Sequence, residues 1–185
     1  MEVTIRRRKL SIEEYHRMAE VSILDPDKRV ELINGKIIRK NPIGNRHVGI
    51  VSRINALLIP CLLGKYNLHV QSPVKIGQYS EPEPDLMITP HRDDFYASTG
   101  VYPEDVLLLI EVADTTLRKD TRVKLPLYTQ AAIPEVWIID VKNDIIHQYS
   151  NLQNNQYQQQ NSFTRSDEIT ATKLSLTVKG SELVG

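Results

Sequence analysis

VLLLIEVADTT, residues 106–116, sets how the chain is read. Val106 to Ile110 form an unbroken aliphatic run, the pattern of a strand buried on both faces. Glu111 follows at once, where an ionised carboxylate without a partner costs roughly several kcal/mol. Asp114 comes three residues later. The strand therefore asks what Glu111 is paired with.

On both sides of this run, the pattern predicts strands and helices. Downstream, Arg118 to Ala132 is predicted helical and EVWIID (135–140) is a second strand. Lys142-Asn143-Asp144 turns it into DIIHQYS as a hairpin. NLQNNQYQQQN (151–161) reads as an exposed loop or a loosely paired strand, and ITATKLSLTV (169–178) alternates. Upstream, EPEP introduces a short strand, DLMIT (85–89), and NLHVQSPVKI (67–76) is another, with Pro73 marking an edge or a bend. From Asn45, the stripe His47, Ile50, Val51, Ile54, Leu57, Leu58 and Leu62 predicts an amphipathic helix, its last turn disturbed by Pro60. Asn34-Gly35 in RVELINGKIIRK predicts a hairpin. Ser11 and Glu14 form a capping box that opens a short helix through Tyr15 and Met18. These elements make an α/β (α+β) fold: helices on a mixed sheet, in a single domain spanning 1–185.

Bulk properties narrow the function. The 185 residues carry 23 Lys+Arg against 23 Asp+Glu, so no global field recruits nucleic acid, and any such contact needs a local patch. The single cysteine, Cys61, excludes an internal disulfide and a cysteine-based zinc site; it is expected to pack in ALLIPCLL, in a cytoplasmic protein. Neither a signal peptide nor an apolar run near the ~18 residues of a membrane span is visible.

Three acidic residues stand against apolar or strand-like surroundings: Asp85 at the mouth of LMI, Glu111, and Glu31 in the first arm of the Asn-Gly hairpin. If the strands of Asp85 and Glu111 are neighbours, their carboxylates converge and repel unless a cation lies between them. Mg²⁺ suits such a pair, and it could polarise a phosphate and supply hydroxide near neutral pH. A lysine is the usual companion of such a site. Lys124 qualifies, because Asp120, Lys124 and Tyr128 recur every four residues and share one helix face. Pro126 cannot donate to Arg122, so it must lie in a first turn or kink the helix.

Pro84-Asp85 followed by Glu111-Val112-Ala113 resembles the PD-(D/E)XK signature of restriction-endonuclease-like nucleases. ELINGKI, EPDLMI, LLLIEVADTT, DTRVKLPLY and IPEVWIID, in that order from Glu31 to Asp140, resemble the Uma-two family of that superfamily. The resemblance implies a restriction-endonuclease-like mixed sheet flanked by helices, with an N-terminal hairpin and a C-terminal hairpin extension. It implies an Mg²⁺-dependent endonuclease, with Mn²⁺ as a substitute, acting on nucleic acid, in the first place DNA, as a homodimer. Asp85 and Glu111 would be the metal ligands, Glu31 the acidic residue joining from the N-terminal elements, and Lys124 the lysine. Ala113 departs from the superfamily pattern, which has lysine there, and Lys124 matches a lysine moved into the following helix.

Each residue also has a plainer role. Asp85 could close a turn, Glu111 could pair with Arg118 or Lys124, Glu31 could face water, and Lys124 could be a solvated helix lysine. Asp114 and Asp120 suit helix starts. His47 could line the cleft but is left out of the site, Trp137 is assigned to the core, and Arg6-Arg7-Arg8-Lys9 could touch phosphates or be a solvated terminus. The alternative function is a non-catalytic module that kept the fold to bind nucleic acid or to dimerise.

Overall fold

The computed structural model describes residues 8–184. Helix α1 (Ile12–Glu20) starts at the Ser11–Glu14 capping box. Strands β1 (Val30–Ile33) and β2 (Lys36–Arg39) form the N-terminal hairpin. Its turn needs Gly35, at φ +74°, and a Cβ there would also sit 2.5 Å from Lys9 Cβ. Then follow α2 (Asn45–Leu62), β3 (Tyr66–Val70), β4 (Leu86–Pro90) and β5 (Leu108–Ala113). A short α3 (Leu117–Lys119) runs into a π-helical turn (Asp120–Lys124) and α4 (Leu125–Gln130). Strands β6 (Val136–Asp140), β7 (Ile145–Gln153) and β8 (Gln156–Phe163) precede a second hairpin, β9 (Glu168–Ala171) with β10 (Leu176–Lys179), and a terminal α5 (Gly180–Val184).

Six strands form the main sheet in the order β3-β4-β5-β6-β7-β8. Only β5 and β6 are parallel; every other neighbouring pair is antiparallel. Their crossover is the helical segment from Leu117 to Gln130, the length such a connection needs. Pairing on both edges and cover on both faces explain the apolar character of β5, all of whose residues are buried.

Side-chain alternation along β5 assigns its two faces. Leu108, Ile110 and Val112 pack with the α2 ridge and with Ile169, Leu176 and Val178 of the second hairpin. Leu109 and Ala113 pack on the other face, with Leu127 and Tyr128 of α4. Each of the Val, Leu and Ile side chains among them contributes about 1.5–3 kcal/mol by leaving water, against the entropy of ordering the chain. Glu111 falls on the α4 face by the same alternation. Asp85 immediately precedes β4, whose Leu86 pairs with Ile110, and this brings it next to Glu111 at the end of the β4–β5 pair.

The structure corrects the sequence reading in some places and decides between its alternatives in others. Val106 and Leu107, read as part of the strand, precede β5, and Glu111 lies within it. Cys61 is exposed and does not pack. The buried ridge of α2 steps 50-54-58-62 and drifts with each turn, which leaves residue 61 about 100° off it in the last turn. Pro60 does not end the helix, because it stands on the exposed side, where water replaces the bond it cannot make. NLQNNQYQQQN is part of the long β7–β8 hairpin, turned at Asn154 and Asn155, both at positive φ. Pro126 lies in the first turn of α4, one of the two places expected for it, after a π turn in which Leu125 N–H donates to Asp120 O. Arg6 and Arg7 lie outside the described residues, while Arg8 pairs with Glu14 and Lys9 sits over the Tyr79 ring. Among the described residues no helix is long and apolar enough to cross a membrane.

Candidate active site

The loop after β5 (Asp114 to Thr116), the start of α2 and the π turn enclose a cleft of about 180 Å³. Asp85, Glu111 and Lys124 all line it. Each is less than a tenth exposed, so their charges act through protein more than through water.

Glu111 is the centre of this arrangement. Its Oε1 accepts from Lys124 Nζ at 2.9 Å and from Tyr128 Oη at 2.6 Å. Lys124 and Tyr128, one α-helical step of four apart, both turn towards β5. No protein donor among the described residues reaches Glu111 Oε2. Burial pushes the Glu111 carboxyl up to about 8, although Lys124 pulls the other way. Burial raises Asp120 for the same reason, and its Oδ2 accepts from Thr116 Oγ1 at 2.5 Å. For Lys124, burial opposes the charge, but Glu111, Glu31 and Asp120 outweigh it and hold the ammonium above the usual lysine range.

Asp85 is fixed differently. Its Oδ2 accepts the Val112 N–H at 2.8 Å, which ties the carboxylate to β5 beside Glu111. Its Oδ1 lies 3.1 Å from His47 Nε2 in the first turn of α2. Burial would raise Asp85, but His47, the Val112 N–H and Lys124 together lower it. His47 in turn is raised by its hydrogen bond to Asp85, and its Nδ1 is buried without a partner.

Glu31 reaches the site from beneath. It is fully buried in β1, with one oxygen on Lys119 Nζ and the other 3.4 Å from Lys124 Nζ and 3.3 Å from the Glu83 N–H. Burial works against its charge, yet Lys124 and Lys119 keep it below the usual carboxylate range. Glu31 does not line the cleft; it supports two lysines that do. Lys40 closes the rim, 3.0 Å from Glu83.

A divalent cation fits this donor set. Asp85 and Glu111 are adjacent across β4 and β5, Glu111 keeps an oxygen free of protein donors, and the cleft is large enough for water. Among the described residues no three His, Cys, Asp or Glu side chains form a ready metal cluster.

Comparison with known proteins places this geometry. The model of the Uma2 family, described as "Putative restriction endonuclease", matches residues 12–179. The chain belongs to this family. No curated protein matches it. Among solved structures it is similar to that of a "putative nuclease belonging to DUF820" from Anabaena variabilis, with a TM-score of 0.74 over 95% of this chain and 97% of that one. At 15% identity this likeness shows the fold alone: a mixed sheet flanked by helices. Family membership supports a nuclease function for this Uma2 protein.

Three residues that hold the site together were not among the expected site residues: His47, Lys119 and Tyr128. Tyr128 carried a signal, since it shares the Lys124 face. His47 was read as able to line the cleft and left out of the site, and Lys119 had no local signal; both reach their partners through the packing of distant segments.

Proposed function

We propose that the protein is a Mg²⁺-dependent endonuclease that hydrolyses phosphodiester bonds in DNA. The observation that carries this is the pair of buried carboxylates, Asp85 and Glu111, side by side in a cleft with Lys124 2.9 Å from Glu111. Asp85 and Glu111 would hold Mg²⁺ or Mn²⁺. The ion, when bound, supplies a Lewis acid for the phosphate and acidifies a water. The chain's own residues do the rest. Val112 N–H and His47 orient Asp85, and Tyr128 orients Glu111. Lys124 opposes the rise that burial imposes on Glu111, which eases its ionisation, and presents positive charge where a phosphorane-like transition state gains negative charge. Glu31 holds Lys124 and Lys119 in place. A homodimer would give duplex cleavage two sites related by a two-fold axis.

A second reading, a binding module that kept the nuclease fold, is favoured by Ala113 and by the engagement of Lys124 with Glu111, Glu31 and Glu83 O. Incubation with supercoiled plasmid separates the two. The enzyme reading expects nicking in Mg²⁺ or Mn²⁺, none in EDTA and none with Asp85→Ala. Plasmid, single-stranded DNA and RNA all left intact by metal-loaded wild type would refute it.

A further inference from the structure

The chain as a whole is neutral, but its longest helix is not. The 18 residues of α2 include Arg46, His47 and Arg53 and no carboxylate. The apolar ridge of α2 points to the sheet, and its outer face carries Arg46, Gly49 and Arg53, spaced i, i+3, i+7 and all exposed. Ser52 is exposed beside them. Gly49 leaves the middle of this face bare: a Cβ there would meet nothing within 4 Å.

The face begins at the cleft. Gly44 and His47 line the cleft, and Arg46 stands between them in the first turn. From Arg46 the positive surface continues sideways. Its guanidinium is 3.4 Å from Asp144 in the β6–β7 turn, and Arg165, between β8 and β9, is 3.5 Å from the same carboxylate. One aspartate thus serves two arginines, each with about half of its side chain exposed (55% and 51%). Such exposed pairs are worth little to stability, so both guanidiniums can exchange Asp144 for another anion at small cost.

We infer that the outer face of α2, with Arg46, Arg53 and Arg165, is the track that carries the DNA backbone away from the cleft. It rests on the proposed nuclease reading and names where the strand beyond the scissile phosphate lies. Arginines separated by small residues suit a phosphodiester chain, because guanidinium groups grip phosphate while a bare helix surface lets the backbone approach. The N–H groups at the start of α2 add a partial positive charge at the end nearest the cleft.

The test uses full-length protein and a fluorescent DNA duplex, with anisotropy read in Ca²⁺ at several salt concentrations. Gly49→Glu places a carboxylate in the open centre of the face and is expected to weaken binding at least tenfold; Gly49→Ala is expected to bind within about twofold of wild type. Arg46→Ala with Arg53→Ala is expected to weaken binding about tenfold and to flatten the salt slope by about two, roughly 0.9 for each phosphate left without its arginine. Arg165→Ala is expected to cost about threefold. The Mn²⁺-induced rise in melting temperature and hydrolysis of bis(4-nitrophenyl) phosphate, which is too small to reach the track, should stay at wild-type levels. Equal weakening on single-stranded RNA would also support the track, as a grip on phosphate. Wild type that binds DNA without cutting it would refute the nuclease reading and leave the track standing. Gly49→Glu and the double arginine variant binding as tightly as wild type would overturn the track alone. Wild type that binds neither DNA nor RNA would overturn both.

Discussion

Two buried glutamates, one within β5 and one at the entrance to its parallel neighbour β6, meet opposite fates in this molecule. Glu135, just before β6, is fully buried, and each of its oxygens takes two neutral donors. Oε1 accepts from Trp137 Nε1 at 2.6 Å and Gln148 Nε2 at 2.7 Å; Oε2 accepts from Thr172 N at 2.6 Å and Thr172 Oγ1 at 2.5 Å. It pins the second hairpin to the sheet and leaves no room for another ligand. Glu111 is nearly as buried, but its donors, Lys124 and Tyr128, crowd one oxygen and leave the other towards a cleft. Burial does not distinguish a structural carboxylate from a chemical one. The number and placement of its donors do.

The largest effect should come from exchanging the charge at each glutamate. Glu111→Gln is expected to lower plasmid cleavage by about a thousandfold, roughly 4 kcal/mol of barrier, and to remove the Mn²⁺-induced rise in melting temperature. Glu135→Gln should cleave within about twofold of wild type. Matching losses in both variants would erase the distinction between the two glutamates.

Next comes Lys124→Ala. It should cut cleavage by about a hundredfold, as loss of a transition-state donor does, while leaving metal binding nearly intact. It also strands Glu111 and Glu31, so the metal-free protein should lose about 3–5 kcal/mol in denaturant unfolding. A variant as active as wild type would reduce Lys124 to a structural role.

Glu135→Ala should act on stability alone. It orphans the donors of Trp137, Gln148 and Thr172, each costing about 1–3 kcal/mol where no water enters. Its melting temperature should fall by about 2–4 °C per kcal/mol, and the Mn²⁺-induced rise should persist on the lower baseline. Loss of that rise would tie the clamp to the cleft.

The smallest effect is a pH background common to both glutamate variants. His69 on β3 is partly buried, 3.0 Å from Thr89 Oγ1, and burial lowers its affinity for a proton. The unfolded chain takes up that proton near pH 6.5 while the folded one declines it, so stability falls as pH drops below about 6.5 and levels off below the folded value. Replacing His69 with Gln should flatten this slope by less than one proton, in wild type and in Glu135→Gln alike. An unchanged slope would place the acid sensitivity elsewhere.

What the sequence could disclose follows the range of each interaction. Glu111 and Asp85 were visible because a carboxylate inside or beside an apolar strand is costly enough to demand a reason. Lys124 and Tyr128 were visible as a face, since four-residue spacing is local. The hairpin at Asn34-Gly35 and the cap at Ser11 were also local. Glu135 was passed over as the opening residue of a strand, because its donors come from Gln148 and Thr172, far along the chain. His47 against Asp85 and Lys119 against Glu31 are of the same kind. Cys61 misled because the drift of a buried ridge along a helix is set by what it packs on. The π turn at Asp120–Lys124 had only Pro126 to announce it.

The proposed chemistry depends on Asp85 and Glu111 holding one divalent cation between them. Calorimetric titration of Mn²⁺ into wild type, Asp85→Ala, Glu111→Gln and Glu135→Gln reads that directly. Saturable binding is expected in wild type and in Glu135→Gln, and none in Asp85→Ala or Glu111→Gln. Heat that is absent from wild type, or equal in all four proteins, would contradict a shared ion at this pair.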